Sequence, residues 1–331
     1  MTSPSAVLPF DMPPFRPRPP WWGADLQTLR NTLAPRPVDL SPWPGQHLRF
    51  VAANERDALS GWLHRPAPPA GAGPPLVIVI HGLTGDADGQ MQCASAAYLL
   101  AAGYPVLRLN LRGAGDCAPA SATLYHSNLA ADIEAVLAQL PGTITGQGVV
   151  LFGYSLGGNL TLNTLRQPRP SPLLRGGISI CAPILPAAAA RALERPRNRL
   201  YQRHLVAGLK RAALACALDP ALEASARAIR SIRDYDGKVA AAMHGFASAD
   251  DLYAHTASAP HLRHIRLPTL VVHAADDPWV PVAGYRAVDW GANPALLPVI
   301  TPGGGHCGFH AADDPVPWHD RLVLRFLQSM V

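Results

Sequence analysis

The chain has 331 residues, 48% of them hydrophobic and 15% charged, with 28 Lys or Arg against 23 Asp or Glu and a formal net charge of +5. That length and apolar content support a substantial core, which excludes wholesale disorder and leaves room for one large domain with an insertion. Nearly all the positive charge is arginine, since Lys210 and Lys238 are the only lysines, and no basic block with interleaved aromatics occurs, so nucleic acid is not an expected partner.

Residues 1–45 form a proline-dense arm (Pro13-Pro14, Pro17, Pro19-Pro20, Pro35, Pro37, Pro42, Pro44) with room for one short helix, Asp25 to Leu33. Trp21 and Trp22 are expected to pin this arm onto the domain by burial, with the lining of a substrate mouth as the alternative. Glu55 to His64 and its flanks read as an early hairpin. From Pro75 onward, apolar runs alternate with helical segments, the pattern of parallel strands joined by crossover helices. The candidate strands are Leu76–Ile80, Val106–Asn110, Val149–Phe152, Ile178–Cys181, Thr269–His273 and Leu296–Ile300. Candidate helices are Met91–Ala102, Ser127–Leu140 and Leu156–Arg166. The predicted fold class is α/β, a mostly parallel, doubly wound sheet with helices on both faces.

Gly153-Tyr154-Ser155-Leu156-Gly157 follows the third of these strands and opens a helix, which is the sequence form of a nucleophile elbow. Serine is a weak nucleophile at its own pKa, so it must be held on a sharp turn where a base and an oxyanion hole can reach it. The flanking glycines remove the side chains that would crowd that turn. A pentapeptide alone can arise by chance; the apolar run Val149–Phe152 before it and the helical spacing of Leu156, Leu160 and Thr164 after it supply the context.

Between Cys181 and Thr269 lie 87 residues, far more than the dozen or so a parallel crossover needs. An inserted helical lid over residues 183–262 is the economical reading, leaving 46–182 and 263–331 as the core. Asp219-Pro220 makes an N-cap and first-turn pair for a helix running to about Ile232. The arginines Arg191, Arg195, Arg197, Arg199 and Arg203 read first as a solvated helical face and second as a peripheral contact for anionic lipid head groups.

An elbow serine requires an acid and then a histidine on later post-strand loops. Asp276-Asp277 follows the strand Thr269–His273, and His306 sits among glycines after Leu296–Ile300. His306 is the expected base. Asp277, three residues before Val280-Pro281, is preferred as the acid; Asp276 is the alternative. Backbone N–H groups of Leu156, next to the nucleophile, and of Leu83, in the His81-Gly82-Leu83-Thr84-Gly85 loop, are the expected oxyanion donors.

These motifs, together with Asp25-Leu26-Gln27-Thr28-Leu29, Asn110-Leu111-Arg112-Gly113, Tyr125-His126-Ser127, His244-Gly245-Phe246 and Gly305-His306 followed by Gly308-Phe309, resemble the YheT-like branch of the α/β-hydrolases. That branch is related to eukaryotic abhydrolase-domain lipases and fungal medium-chain ethyl ester synthase/esterases. The resemblance covers nearly the whole chain and implies the α/β-hydrolase fold. It also implies hydrolysis of carboxylic esters, of short to medium acyl chains or of lipids, with Ser155, Asp277 and His306 as the triad. The arm departs from the pattern at Gly23-Ala24-Asp25, where relatives often carry Asn and His, which weakens a direct substrate role for that segment.

An acyltransferase or thioesterase would use the same triad, and a binding protein on this fold would have lost part of it. No dinucleotide or P-loop fingerprint occurs, so no cofactor is expected. The cysteines Cys93, Cys117, Cys181, Cys216 and Cys307 are odd in number and lack C-x-x-C spacing, which indicates neither a metal site nor a disulfide framework. Reduced thiols, no leader-like N-terminal pattern and no membrane-length apolar run make a cytoplasmic location the expectation.

Overall fold

A computed structural model describes residues 10–67 and 73–330. Its centre is an eight-stranded sheet in the order β1-β2-β4-β3-β5-β6-β7-β8. The strands are β1 Gln46–Val51, β2 Ala58–His64, β3 Leu76–Ile80, β4 Val106–Asn110, β5 Val149–Tyr154, β6 Leu174–Ile180, β7 Thr269–Ala274 and β8 Leu296–Thr301. The expected hairpin is β1 with β2; it joins the sheet antiparallel to β4, and every other pairing is parallel.

Strands β3, β4, β5 and β7 are buried at every position, as a parallel sheet covered on both faces requires. The period of two splits them between two cores: Leu76, Ile78, Ile80 and Leu151 pack on one face, Val77, Val79, Val150 and Phe152 on the other. Strand order reverses at β3, and in open sheets of this kind the crevice beyond the carboxyl ends at such a switch point is where ligands bind.

Several expected boundaries shift for local reasons. Strand β6 starts four residues earlier than expected, at Leu174. Its Gly176-Gly177 pair hid that start, yet a Cβ at Gly177 would lie 2.4 Å from Leu165 Cδ1, so glycine here lets the helix Leu156–Leu165 close onto the strand. The helix expected from Ser127 begins at Ala130, because Asn159 and Asn163 hold the Ser127 hydroxyl and carbonyl in a turn at 2.9 and 2.6 Å. Asp219 caps its helix as expected, accepting from Ala221 N–H at 2.9 Å. That helix ends at Ala228 rather than near Ile232, since Ile229 turns extended and Ser231 caps a new short helix, Ile232–Tyr235. The C-terminal helix Trp318–Ser329, which the sequence reading did not assign, buries Leu322, Val323 and Phe326 in the second core.

The arm docks, though Trp22 does not dock it: this side chain is 59% exposed. Phe15 packs edge-on against Phe309 and Trp318 instead, and the Trp318 indole donates to Pro13 O at 2.8 Å. Between β6 and β7, the helices Pro186–Leu193, Arg199–Leu214, Pro220–Ala228 and Ala249–Thr256 build a small core of their own around Leu205, Leu209, Ile232 and Leu252. Leu83 and Trp279 of the main body pack against it. The five arginines named above are exposed, and Arg197 pairs with Asp25 of the arm helix at 3.0 Å. No helix among the described residues is long and apolar enough to cross a membrane.

Arg112, at the exit of β4, shows why its motif matters for stability. Its guanidinium is buried and grips Asp132 through Nε at 3.0 Å and through a second, shorter bond. It also donates to Thr123 Oγ1 at 3.1 Å and lies 3.9 Å from buried Asp57. Removing the cation strands two carboxylates in low dielectric. Arg112→Met should therefore cost about 3–5 kcal/mol, read from urea unfolding followed by circular dichroism; a loss under about 1 kcal/mol, the level of an exposed pair, would contradict the assignment.

Candidate active site

Ser155 stands at the carboxyl end of β5 with φ 50° and ψ −117°, a conformation that non-glycine residues rarely adopt. The turn is that tight because the helix Leu156–Leu165 starts at once and packs back on the strand. A Cβ at Gly153 would lie 2.1 Å from Gly157 O, and one at Gly157 would lie 2.5 Å from both Ile80 O and His81 O. Ser155 N–H donates to Ile180 O at 2.8 Å, which ties the strained residue to the neighbouring strand.

The three residues expected to act together are brought together. His306 Nδ1–H donates to Asp277 Oδ2 at 2.7 Å, and its Nε2 accepts from the Ser155 hydroxyl at 2.9 Å. Asp277 Oδ1 accepts from the backbone N–H groups of Trp279 and Val280 at 2.8 and 2.9 Å. Burial alone would raise this carboxyl, but the His306 charge and hydrogen bond, with the Val280 N–H, hold its pKa below the usual value. The Trp279 ring stacks on the imidazole, centroids 4.4 Å apart. The competing Asp276 turns the other way and accepts from Gly305 N–H at 2.9 Å, bracing the loop rather than touching the ring.

The loop after β3 meets the serine from the other side, with a Cβ at Gly82 falling 3.8 Å from Ser155 Oγ. Tyr125 Oη pins it, accepting from Thr84 N–H at 2.8 Å and donating to Gly82 O at 3.2 Å. His81 is wholly buried, and burial lowers its pKa to about 4. As a neutral ring it donates from Nδ1 to Gly82 O and accepts Leu111 N–H on Nε2, at 2.8 and 3.1 Å. Leu83 lies on this loop, and Leu156 is the first residue of the elbow helix, so its N–H has no partner within that helix.

The arm motif Asp25-Leu26-Gln27-Thr28-Leu29 has a role that the sequence reading did not assign. Thr28 Oγ1 accepts the His306 N–H at 2.8 Å, and buried Gln27 takes both backbone groups of His310, at 3.1 and 2.7 Å. The arm helix clamps the histidine loop closely: a Cβ at Gly308 would be 2.3 Å from Gln27 O. The signal was present as a motif, but its partner lies 278 residues away.

Ser155 and His306 open onto a cavity of about 430 Å³. Leu193, Leu205, Ile232 and Leu252, from the helices between β6 and β7, form apolar wall, while Thr28 and Asn31 of the arm helix face it from another side. Asp236 is the one Asp or Glu among the described lining residues. It lies in a π-helical turn, accepts from Tyr253 Oη at 2.6 Å, and is pushed up to about 7 by burial.

A model described as the alpha/beta hydrolase family matches residues 77–317. The chain is 28% identical to the Escherichia coli protein YheT over 294 residues, 86% of this chain and 83% of that protein. It is 26% identical to the mouse phospholipase ABHD3 over 268 residues, 78% of this chain but 64% of that protein, so it spans less than two thirds of the phospholipase. Among solved structures, the Pyrococcus furiosus esterase Pf2001 shares the fold with a TM-score of 0.57 at 16% identity, covering 89% of this chain and 96% of the other. The resemblance to the YheT-like branch read from the motifs holds.

The close approach at the elbow gives a stability test. Gly157→Ala should lower unfolding stability by about 1–3 kcal/mol or more, as overpacking against fixed backbone does. Gly142→Ala, where a Cβ meets nothing within 4 Å, should stay within about 0.5 kcal/mol of the parent. Equal effects in thermal melts of the two variants would contradict the packing described.

Proposed function

Because the chain belongs to the alpha/beta hydrolase family, we propose that it is a serine hydrolase cleaving carboxylic esters through an acyl-enzyme on Ser155. The observation that carries this reading is the unbroken chain of hydrogen bonds from buried Asp277 through His306 to the Ser155 hydroxyl, at 2.7 and 2.9 Å.

In this mechanism Ser155 Oγ attacks the acyl carbon while His306 Nε2 takes the hydroxyl proton. Asp277 holds the ring in the tautomer that leaves Nε2 free and stabilises the imidazolium that forms. The tetrahedral oxyanion accepts the N–H groups of Leu156 and Leu83; the first belongs to a helix N-terminus, whose dipole favours negative charge. The alcohol leaves with the proton from His306, and water then repeats the sequence in reverse on the acyl-serine.

The insertion over 183–262 is read as the lid that selects the acyl group. Support comes from Leu193, Leu205, Ile232 and Leu252 in the cavity wall, which suit short to medium acyl chains or lipid esters. The phospholipase relative is consistent with the lipid end of that range.

Ser155→Ala should lower kcat for an aryl octanoate by ~10⁴–10⁶, the range for loss of a triad member. Asp277→Asn should lose ~10⁴, whereas Asn at 276 keeps an oxygen for Gly305 N–H and should stay within about tenfold of the parent. Retained turnover in Ser155→Ala, or the larger loss at 276, would overturn the assignment.

The pH dependence follows from the same pair. Burial favours a neutral imidazole, but the Asp277 carboxylate outweighs it and holds His306 above its usual 6.5. The base must be neutral to accept the serine proton, so kcat/KM should rise with pH through a midpoint above 6.5. In Asp277→Asn the residual activity should have a lower midpoint. An unmoved acid limb would remove Asp277 as the cause.

A further inference from the structure

Cys181 and Cys307 are 126 residues apart in sequence, yet both follow strands that end at the site and both are buried. Each thiol lies against the other's loop. Cys181 Sγ accepts the Cys307 N–H at 3.4 Å and sits 3.8 Å from Gly305 O, while Cys307 Sγ lies 3.9 Å from Ile180 O. The two sulfurs and a ring nitrogen of His306 all fall within 4.8 Å of one another. Cys181 Sγ is also within that reach of a ring nitrogen of His273 and a carboxylate oxygen of Asp277.

His273 makes this more than a pair of packed thiols. Its ring is fully buried and stacked flat on Tyr285, and neither ring nitrogen has a hydrogen-bond partner. An unpartnered buried imidazole beside the Cys181 thiol is a costly arrangement for a purely apolar core. It is a suitable one for a soft divalent cation.

We propose that Cys181, Cys307 and His306 form an inhibitory site for Zn²⁺, entered through the substrate cavity. Cys307 and His306 both line that cavity, which gives the ion its path, and Cys181 closes the site from behind. Zinc bonds of roughly 2.0–2.3 Å place tetrahedral donors roughly 3.6–3.8 Å apart, so the set, whose donors lie within 4.8 Å of one another, contracts by no more than about 1 Å on binding. The two thiols bind as thiolates and release two protons to solvent, His306 binds as neutral imidazole, and the fourth position faces the cavity. Both nitrogens of His306 are already engaged, by Asp277 and Ser155, so ligation withdraws the ring from one of them. Inhibition therefore rests on the proposed role of His306; binding does not.

Binding is tested on Ser155→Ala protein with Co²⁺ as a spectroscopic stand-in. The expected result is one ion per chain with thiolate-to-cobalt charge-transfer absorption and visible bands of tetrahedral intensity, all displaced by Zn²⁺. Inhibition is tested on the parent enzyme with buffered Zn²⁺, where activity should fall and return on chelation. Cys181→Ala, checked for folding by circular dichroism, should keep ester turnover, and Cys307→Ala, which alters the cavity lining, is compared with its own metal-free rate. They should weaken Zn²⁺ inhibition by more than the ~10–100-fold that loss of an outer-shell partner costs. Absence of the charge-transfer band in Ser155→Ala, or Zn²⁺ inhibition unchanged in both cysteine variants, would overturn the site. A cobalt band without loss of activity in the parent would overturn its inhibitory character.

Discussion

Asp277 carries a carboxylate almost wholly removed from solvent, and a charge there is tolerable only because its oxygens are fully used. Two backbone N–H groups of its own loop hold one oxygen, and the His306 ring holds the other. Those bonds fix the imidazole's tautomer and direction, and the direction sets where the serine must stand. An unpaired carboxylate in this position would protonate instead. The ring would then lose both its orientation and the charge that stabilises its protonated form.

The remaining architecture meets that requirement from three sides. The sheet brings the ends of β3, β5, β7 and β8 to one crevice, so residues far apart in sequence converge without long loops. The elbow holds Ser155 in a strained conformation that only glycine neighbours permit, and one hydrogen bond to β6 ties that residue down. The N-terminal arm closes the arrangement. Thr28 and Gln27 take backbone groups of the loop that carries His306, so the most proline-rich part of the chain positions this histidine.

Much of this was legible in the sequence because it is written locally. The strands β3, β4 and β7 announce themselves as apolar runs, and the elbow as glycines around a serine. The order of acid and histidine follows from strand ends. What stayed hidden depends on residues that meet only after folding. Trp22 looked like an anchor by size, yet the apolar surface that docks the arm is offered to Phe15. The break after Ala228 depends on Ser231 finding a backbone N–H to cap, which composition does not reveal. Gly176-Gly177 masked the start of β6, although closeness to the elbow helix demands Gly177 and closeness to Pro268 O demands Gly176. Cys181 and Cys307 gave no sign of their closeness, since it comes from the loops that follow β6 and β8 on either side of β7 and not from a local motif.

The account stands or falls on covalent catalysis at one hydroxyl. The enzyme would be mixed with an activated octanoate ester, quenched in acid within the first turnover, digested, and weighed peptide by peptide. The account predicts an octanoyl group on the peptide containing Ser155 and on no other, with none in the Ser155→Ala protein. Hydrolysis without an acylated Ser155, or an acyl group carried by Cys307 instead, would contradict it.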